Sequence, residues 1–252
     1  MRIAVAGGTG TVGRYVVEAA QARGHDVVVL SRARGVDVRA GQGLEAALSG
    51  VAAIIDVTDA GTTDRQAAAS FFTDVASQLQ AVGSRCGVGH LVTLSIVGID
   101  RAPDNGYFAA KLRQEQLALA GPVPATVLRA THFHEFAAQS VLRAERAGVA
   151  HVPNLRIQPI AARRVAEHLL AAATAATPGR VPDLAGPEQA ELVSLARGFV
   201  GRFRMATRVV SVESTIPVGA NLPGPSALRD GPTFREWLET EDAARLARRH
   251  QG

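Results

Sequence analysis

The stretch that decides the fold is Val5-Ala6-Gly7-Gly8-Thr9-Gly10-Thr11-Val12-Gly13. An apolar run, Ile3–Ala6, enters it, and an apolar-faced run with Val12, Val16, Val17 and Ala20 leaves it. Glycines at 7, 10 and 13 between a strand and a helix carry a mechanism: Gly7 permits the tight turn, Gly10 lets the backbone approach a pyrophosphate, and Gly13 allows helix and strand to pack closely. The helix N-terminus then offers free N–H groups and a partial positive charge to phosphates. The turn is therefore read as a dinucleotide site, with Gly7, Thr9, Gly10, Thr11, Val12 and Gly13 around the phosphates.

Outward from the turn, short Val/Ile/Leu-rich runs alternate with longer amphipathic ones, which predicts a parallel sheet with crossover helices. Strands are expected at Ile3–Ala6, Val27–Leu30, Ala53–Val57, Leu91–Leu94 and Thr126–Leu128, and helices at Thr11–Arg23, Gly43–Leu48, Arg65–Cys86 and Tyr107–Leu119. The helix from Arg65 is expected to bury Ala68, Phe71, Phe72, Val75, Leu79 and Val82. Beyond Leu128 the rhythm loosens. Helices are expected over His134–Ala147, Ala162–Ala175, Gln189–Val200 and from Thr233 onward, with extended pieces at Arg156–Ile160 and Val181–Leu184. The Pro- and Gly-rich stretch Pro217–Pro232 reads as a loop. The expected class is α/β, a Rossmann-like doubly wound parallel sheet forming one domain over residues 1–252, with residues from about 131 making a small C-terminal lobe on the substrate side.

The second strand ends at Ser31-Arg32, with Arg34 close by. An Asp or Glu placed about here would bind a ribose 2′-hydroxyl, whereas a guanidinium suits a 2′-phosphate. NADP(H) is therefore expected over NAD(H), with Ser31 and Arg32 at that end of the cofactor. Among 27 basic residues counted as Lys plus Arg, Lys111 is the sole lysine. A position that keeps Lys in an Arg-using chain needs a compact ammonium with a tunable pKa. Tyr107, one of two tyrosines, stands four residues before it and so shares its helix face.

With these residues in place the chain resembles the short-chain dehydrogenase/reductase superfamily, in particular its atypical, NmrA-like branch. The likeness rests on the Gly-x-x-Gly-x-x-Gly turn, Ser31-Arg32, Gly35-Val36-Asp37-Val38, Leu94-Ser95-Ile96-Val97-Gly98, Tyr107-Phe108-Ala109-Ala110-Lys111 and Leu128-Arg129-Ala130-Thr131. The resemblance implies a catalytic set of Ser95, Tyr107 and Lys111. In it Ser hydrogen-bonds the substrate oxygen, Tyr exchanges the proton, and Lys holds the nicotinamide ribose and lowers the Tyr pKa. It also implies that Asp37 and Val38 lie by the adenine and that Val57 and Thr58 line the cofactor. One departure stands out: the Arg65–Cys86 helix holds no Asn, the residue that many relatives use in the proton relay.

The function implied is NADPH-dependent reduction of a carbonyl, enone or quinone of a small, apolar molecule. The alternatives are an NADP(H)-binding redox sensor without turnover, and an isomerase or epimerase that keeps its cofactor. His132, Phe133 and His134 are expected to face substrate. No metal is expected, because the alternate histidines have no third ligand nearby. A net charge of +4 with scattered Arg and 4% aromatics does not describe a nucleic-acid stripe. No apolar run has membrane length, and the single Cys86, read as a small buried hydrophobe, fits a reducing cytoplasm. Monomer and homodimer are both left open.

Overall fold

The computed structural model describes residues 1–251. Along the chain run β1 (Arg2–Ala6), α1 (Gly13–Ala22), β2 (Asp26–Leu30), α2 (Leu44–Leu48), β3 (Ala53–Asp56), α3 (Arg65–Arg85), β4 (His90–Ile96), α4 (Gly106–Ala120) and β5 (Ala125–Ala130). There follow α5 (His134–Ala144), β6 (Glu145–Arg146), β7 (Val149–Pro153), β8 (Arg156–Ile157), α6 (Ala162–Ala175), β9 (Gly179–Arg180), β10 (Leu184–Ala185) and β11 (Ala190–Glu191). The chain ends with α7 (Leu192–Arg202), β12 (Arg208–Val212), β13 (Leu228–Arg229), α8 (Phe234–Trp237) and α9 (Glu241–Gln251). By contact density it divides into two units, Met1–Arg129 with Val165–Pro182, and Ala130–Arg164 with Asp183–Gly252. No helix among the described residues is long and apolar enough to cross a membrane.

The first unit holds the parallel sheet, in the order β2-β1-β3-β4-β5 with β9 on the outer edge of β5. The strands are parallel, and the order in which they are added reverses at β1, which pairs with β2 on one side and β3 on the other. Ligands of open α/β sheets bind outside the carboxyl ends of strands at such a switch point. Residues 3–6 and 53–56 are buried without exception, as strands covered on both faces must be. The five expected strands are all present. The expected helices are present too, α1 starting two residues late at Gly13 because the turn itself occupies Thr11 and Val12. Val36–Val38 makes no strand; only an isolated bridge, Asp37 to Gln42, marks it. Cys86 is half-buried, its Sγ turned to the Glu45 carbonyl at 3.6 Å, so it is less enclosed than expected. Phe71 likewise sits at the edge of the core, whereas Phe72 is fully buried.

Two helices of this unit frame the site. Asp64 caps α3 by accepting from the Ala67 N–H at 2.8 Å, and Asn105 caps α4 through the Phe108 N–H at 3.1 Å. They approach closely because the contacts are small: Ala68 faces Ala110, and a Cβ on Gly106 would come within 2.7 Å of the Arg65 Cβ. Buried Gln80 on α3 braces the far end, donating to the Ala118 and Val123 carbonyls and accepting from the Val123 N–H. Behind α4, the Arg129 guanidinium grips the Glu115 carboxylate with two bonds of 2.7 Å and reaches Asp100 at 3.1 Å. Arg129 and Glu115 are each only 4% exposed in their side chains. Replacing Arg129 by Leu strands a buried carboxylate, and a loss of about 3–5 kcal/mol is expected in urea melts. Adding Glu115→Leu to Arg129→Leu should recover most of it.

The second unit has its own core around Phe199, Trp237, Leu192, Val152 and Ala138. Phe234, Trp237 and Leu238 pack there. Here the sequence expectations need more correction. The helix expected over His134–Ala147 stops at Ala144, because Ala147 and Gly148 take positive φ and turn the chain into an antiparallel β6–β7 hairpin. Val149–Pro153 and Arg208–Val212, not expected as strands, pair in parallel. Of the strand expected at Val181–Leu184 only Leu184 lies in a strand, β10; residues 181–183, with Pro182 among them, form none. The helix expected over Gln189–Val200 starts at Leu192 and runs to Arg202. Within the expected Pro217–Pro232 loop, β13 pairs in parallel with β10. The last helix is two helices, the first opened by a reciprocal Thr233–Glu236 capping box.

Candidate active site

Gly7 takes φ +81, and a Cβ there would meet the Val57 carbonyl oxygen at 2.7 Å. A Cβ on Gly13 would fall 2.1 Å from the Gly7 carbonyl oxygen. The Gly10 N–H closes the turn onto the same carbonyl at 2.9 Å, while a Cβ on Gly10 would meet only that one atom, at 3.2 Å. The turn is thus packed on its inner side at Gly7 and Gly13, with Thr9 and Gly10 exposed. Helix α1 starts behind it with no side-chain cap and no acid in its first turn. Val12 is buried beneath, 5% exposed. That is a cradle for an anion, with the helix dipole unopposed.

At the carboxyl end of β2, the buried Ser31 Oγ has no hydrogen-bond partner. Arg32 and Arg34 follow in a single 3₁₀ turn, exposed and without an acidic partner among the described residues. The Asp37 carboxylate, expected at the adenine, is engaged in its own turn, accepting from the Arg39 and Ala40 N–H groups at 3.0 and 3.1 Å. Val38 is buried in the core of this unit. Thr58 lies after β3 and returns both its N–H and its hydroxyl to the Asp56 carboxylate, at 3.0 and 2.7 Å.

The reacting end is built on β4 and α4. Ser95 is 2% exposed and its Oγ has no partner. Lys111 is 4% exposed, and its Nζ donates to the Leu94 carbonyl, next to Ser95, at 2.7 Å and to Gln114 Oε1. The Phe72 ring covers the ammonium at 4.7 Å and meets the Tyr107 ring edge-on at 5.6 Å. Tyr107 and Lys111 thus share the Phe72 ring, which α3 presents to the pair in place of any Asn, and Lys111 holds the carbonyl of the residue before Ser95. The pairing differs from the one that the resemblance implies. The Tyr107 hydroxyl donates to Asp59 Oδ1 at 3.1 Å rather than meeting the lysine. Burial first, and then Asp59, push the phenol above its usual range. Burial pulls the Lys111 ammonium below its usual range against the opposing pull of Asp56, Glu115 and Asp59.

Three residues of this site were not singled out by sequence reasoning. Gln114 passes from Lys111 to Asp56, its Nε2 donating to Asp56 Oδ2 at 2.7 Å, which fixes which end of the amide faces which charge. Asp56 is 1% exposed and Gln114 fully buried. The available signals were an acid ending an otherwise apolar strand, and a Gln three residues after the lysine on one helix face. Asp59 is exposed and carried no signal of its own.

His132, Phe133 and His134 belong to the second unit. Phe133 bridges to Ile160, and the His134 N–H meets the Ile160 carbonyl at 2.9 Å. The His132 ring stacks at a tilt on Phe136 and approaches Asn221 at 3.5 Å. His134 is 1% exposed, donates from Nε2 to the Pro232 carbonyl at 3.0 Å and packs against Phe234 and Trp237. Its surroundings are those of a core residue, and burial lowers its pKa to about 4. The unfolded chain takes up that proton near pH 6.5 and the folded chain does not, so stability falls as pH drops from about 6.5 towards 4, by roughly 3 kcal/mol at most. Thermal melts over this range should show the loss; burial holds His132 at about 4 as well, so His134→Gln, which keeps the donor but cannot titrate, should remove about half of the combined effect. No metal-binding group of His, Cys, Asp or Glu occurs among the described residues.

Residues 3–92 match the family model of the NAD dependent epimerase/dehydratase family. Solved structures align over almost the whole chain. The UDP-glucose 4-epimerase of Thermus thermophilus, in complex with NAD, has a TM-score of 0.70 at 18% identity, covering 99% of this chain and 98% of that one. A short-chain dehydrogenase/reductase superfamily protein of Agrobacterium tumefaciens with bound NAD has a TM-score of 0.67 at 18% identity, covering 100% and 98%. This chain shares with these structures an α/β Rossmann-like fold, a mostly parallel sheet flanked by helices. The dTDP-4-dehydrorhamnose reductase of Yersinia enterocolitica is similar as well, with a TM-score of 0.65 at 15% identity and 98% coverage of each chain. No curated protein matches by sequence.

Proposed function

We propose that this chain is a nicotinamide-dependent oxidoreductase that reduces the carbonyl of a small molecule, with Tyr107 as proton donor. The site fits the cofactor: the glycine cradle, the uncapped α1 and the unpartnered Ser31 hydroxyl sit at successive carboxyl-end positions of the sheet. When bound, the reduced nicotinamide supplies the hydride. The observation that carries the reading is that Tyr107 and Lys111 share the Phe72 ring while Lys111 holds the carbonyl of Leu94, the residue before the buried, unpartnered Ser95. Ser95 has an unused hydrogen bond for a substrate oxygen. Burial and Asp59 raise the phenol's pKa, so Tyr107 carries its proton at neutral pH. The unpaired Arg32 and Arg34 support NADP(H), and the Gly-x-x-Gly-x-x-Gly turn supports a place near the NmrA-like branch.

The test is titration of the protein with NADPH and NADH, followed by turnover with a panel of ketones, enones and quinones. NADPH is expected to bind at least tenfold more tightly, and Arg32→Glu to remove that preference. Tighter binding of NADH would overturn the role given to Arg32. The match of residues 3–92 to an epimerase/dehydratase model favours a second reading, an epimerase that retains its cofactor. It is recognised by substrate conversion without net NADPH consumption.

A further inference from the structure

We propose that Asp59 is the group through which Tyr107 recovers its proton from water, a role that rests on the reading of Tyr107 as donor. Once Tyr107 has protonated the alkoxide, its phenolate must be reprotonated before the next turnover. Two routes are closed by this chain's own residues. The Arg65–Arg85 helix has no Asn and turns Phe72 towards the pair. The Lys111 ammonium, 4% exposed beneath the Phe72 ring, bonds Leu94 and Gln114 and not the Tyr107 hydroxyl. Asp59 is exposed to solvent on the loop between β3 and α3, and its Oδ1 already holds the Tyr107 hydroxyl at 3.1 Å.

The charged groups around the phenol leave that path open. Lys111 lies one turn further along α4. Arg65, across from Gly106 on α3, commits its guanidinium to the Asp104 carbonyl at 2.5 Å. The step balances simply. The Tyr107 O–H bond breaks as the O–H bond of the alcohol forms. A proton from water or a buffer acid then binds the Asp59 carboxylate and passes to the Tyr107 oxygen, leaving Asp59 a carboxylate again. Transfer from a carboxylic acid to a phenolate is downhill by the difference of their ordinary pKa values, about six units.

Asp59→Asn keeps a hydrogen-bonding partner for the phenol and cannot carry the proton. Its kcat is expected to fall about tenfold or more with KM little changed. Asp59→Ala should fall likewise and recover in proportion to added formate or imidazole, to which the unsubstituted protein is indifferent. In the cofactor-free protein, ¹³C-labelled tyrosine followed by NMR gives a second readout: Asp59→Asn should bring the Tyr107 titration down towards its ordinary value, with Tyr107→Phe assigning the resonance. An unchanged kcat in Asp59→Asn, a loss that no buffer restores, or an unmoved Tyr107 titration overturns the relay while leaving Tyr107 as donor. Full activity in Tyr107→Phe, or no turnover in the unsubstituted protein, removes the donor reading and the relay together.

Discussion

Tyr107→Phe is expected to lower kcat by about 10²–10⁴-fold, with cofactor affinity preserved. The ring stays where it is: it packs edge-on against Phe72 at 5.6 Å, a contact that the substitution retains. Only the hydroxyl leaves, and with it the bond to Asp59. Its partner there, Asp59, is exposed, so the loss leaves no buried polar atom unpaired, and stability should change by less than about 1 kcal/mol. A fall in kcat with unchanged melting temperature and unchanged NADPH titration therefore reports chemistry and not folding. An alkoxide cannot collapse to product without a proton, and among the described residues Tyr107 is the donor gathered beside Ser95 and Lys111. Ser95→Ala should cost less, since it removes one hydrogen bond to the developing charge and leaves the donor in place. Undiminished turnover in Tyr107→Phe would sink the assignment.

The first unit was legible because its rules are local. Strand runs of Val, Ile and Leu, the glycine spacing and the lone lysine each announce themselves along the chain, and their structural positions follow from parallel β-α units. What stayed hidden was pairing across distance. Nothing in sequence order brings Asp59 to Tyr107, or Asp56 to Gln114, since these contacts depend on how closely α3 and α4 approach, and that is set by Gly106, Ala68 and Ala110. The resemblance implied that Lys111 acts on the Tyr107 phenol, whereas Lys111 bonds Gln114 and the phenol bonds an acid. The second unit was read least well. Its strands β7 and β12 are distant in the chain and pair with each other, and the turn at Ala147-Gly148 that ends α5 depends on a positive φ at an alanine, which no sequence rule anticipates.

Gly13→Ala is expected to have the largest structural effect of any single methyl group added to this protein's turn. The new Cβ would lie 2.1 Å from the Gly7 carbonyl oxygen and 2.6 Å from the Gly8 Cα, both backbone atoms that no side-chain rotation can clear. Either α1 moves away from β1 or the turn opens. The first leaves a gap beneath Val12 and Val16 in the core, and the second displaces Gly7 from the Val57 carbonyl, so about 1–3 kcal/mol should be lost. Cofactor binding should fall by more than tenfold with it, because the N–H groups at the start of α1 would no longer converge. Gly10→Ala separates the two effects. Its Cβ would meet only the Gly7 carbonyl oxygen, at 3.2 Å, on the exposed side of the turn, so the fold should hold while the added methyl stands where phosphate must approach. Paired melting and NADPH-binding curves should show Gly13→Ala lowering both quantities and Gly10→Ala lowering binding alone. Binding that survives in Gly10→Ala would move the phosphates off this turn, since no other role for an open, exposed glycine at that position explains its place between Gly7 and Gly13.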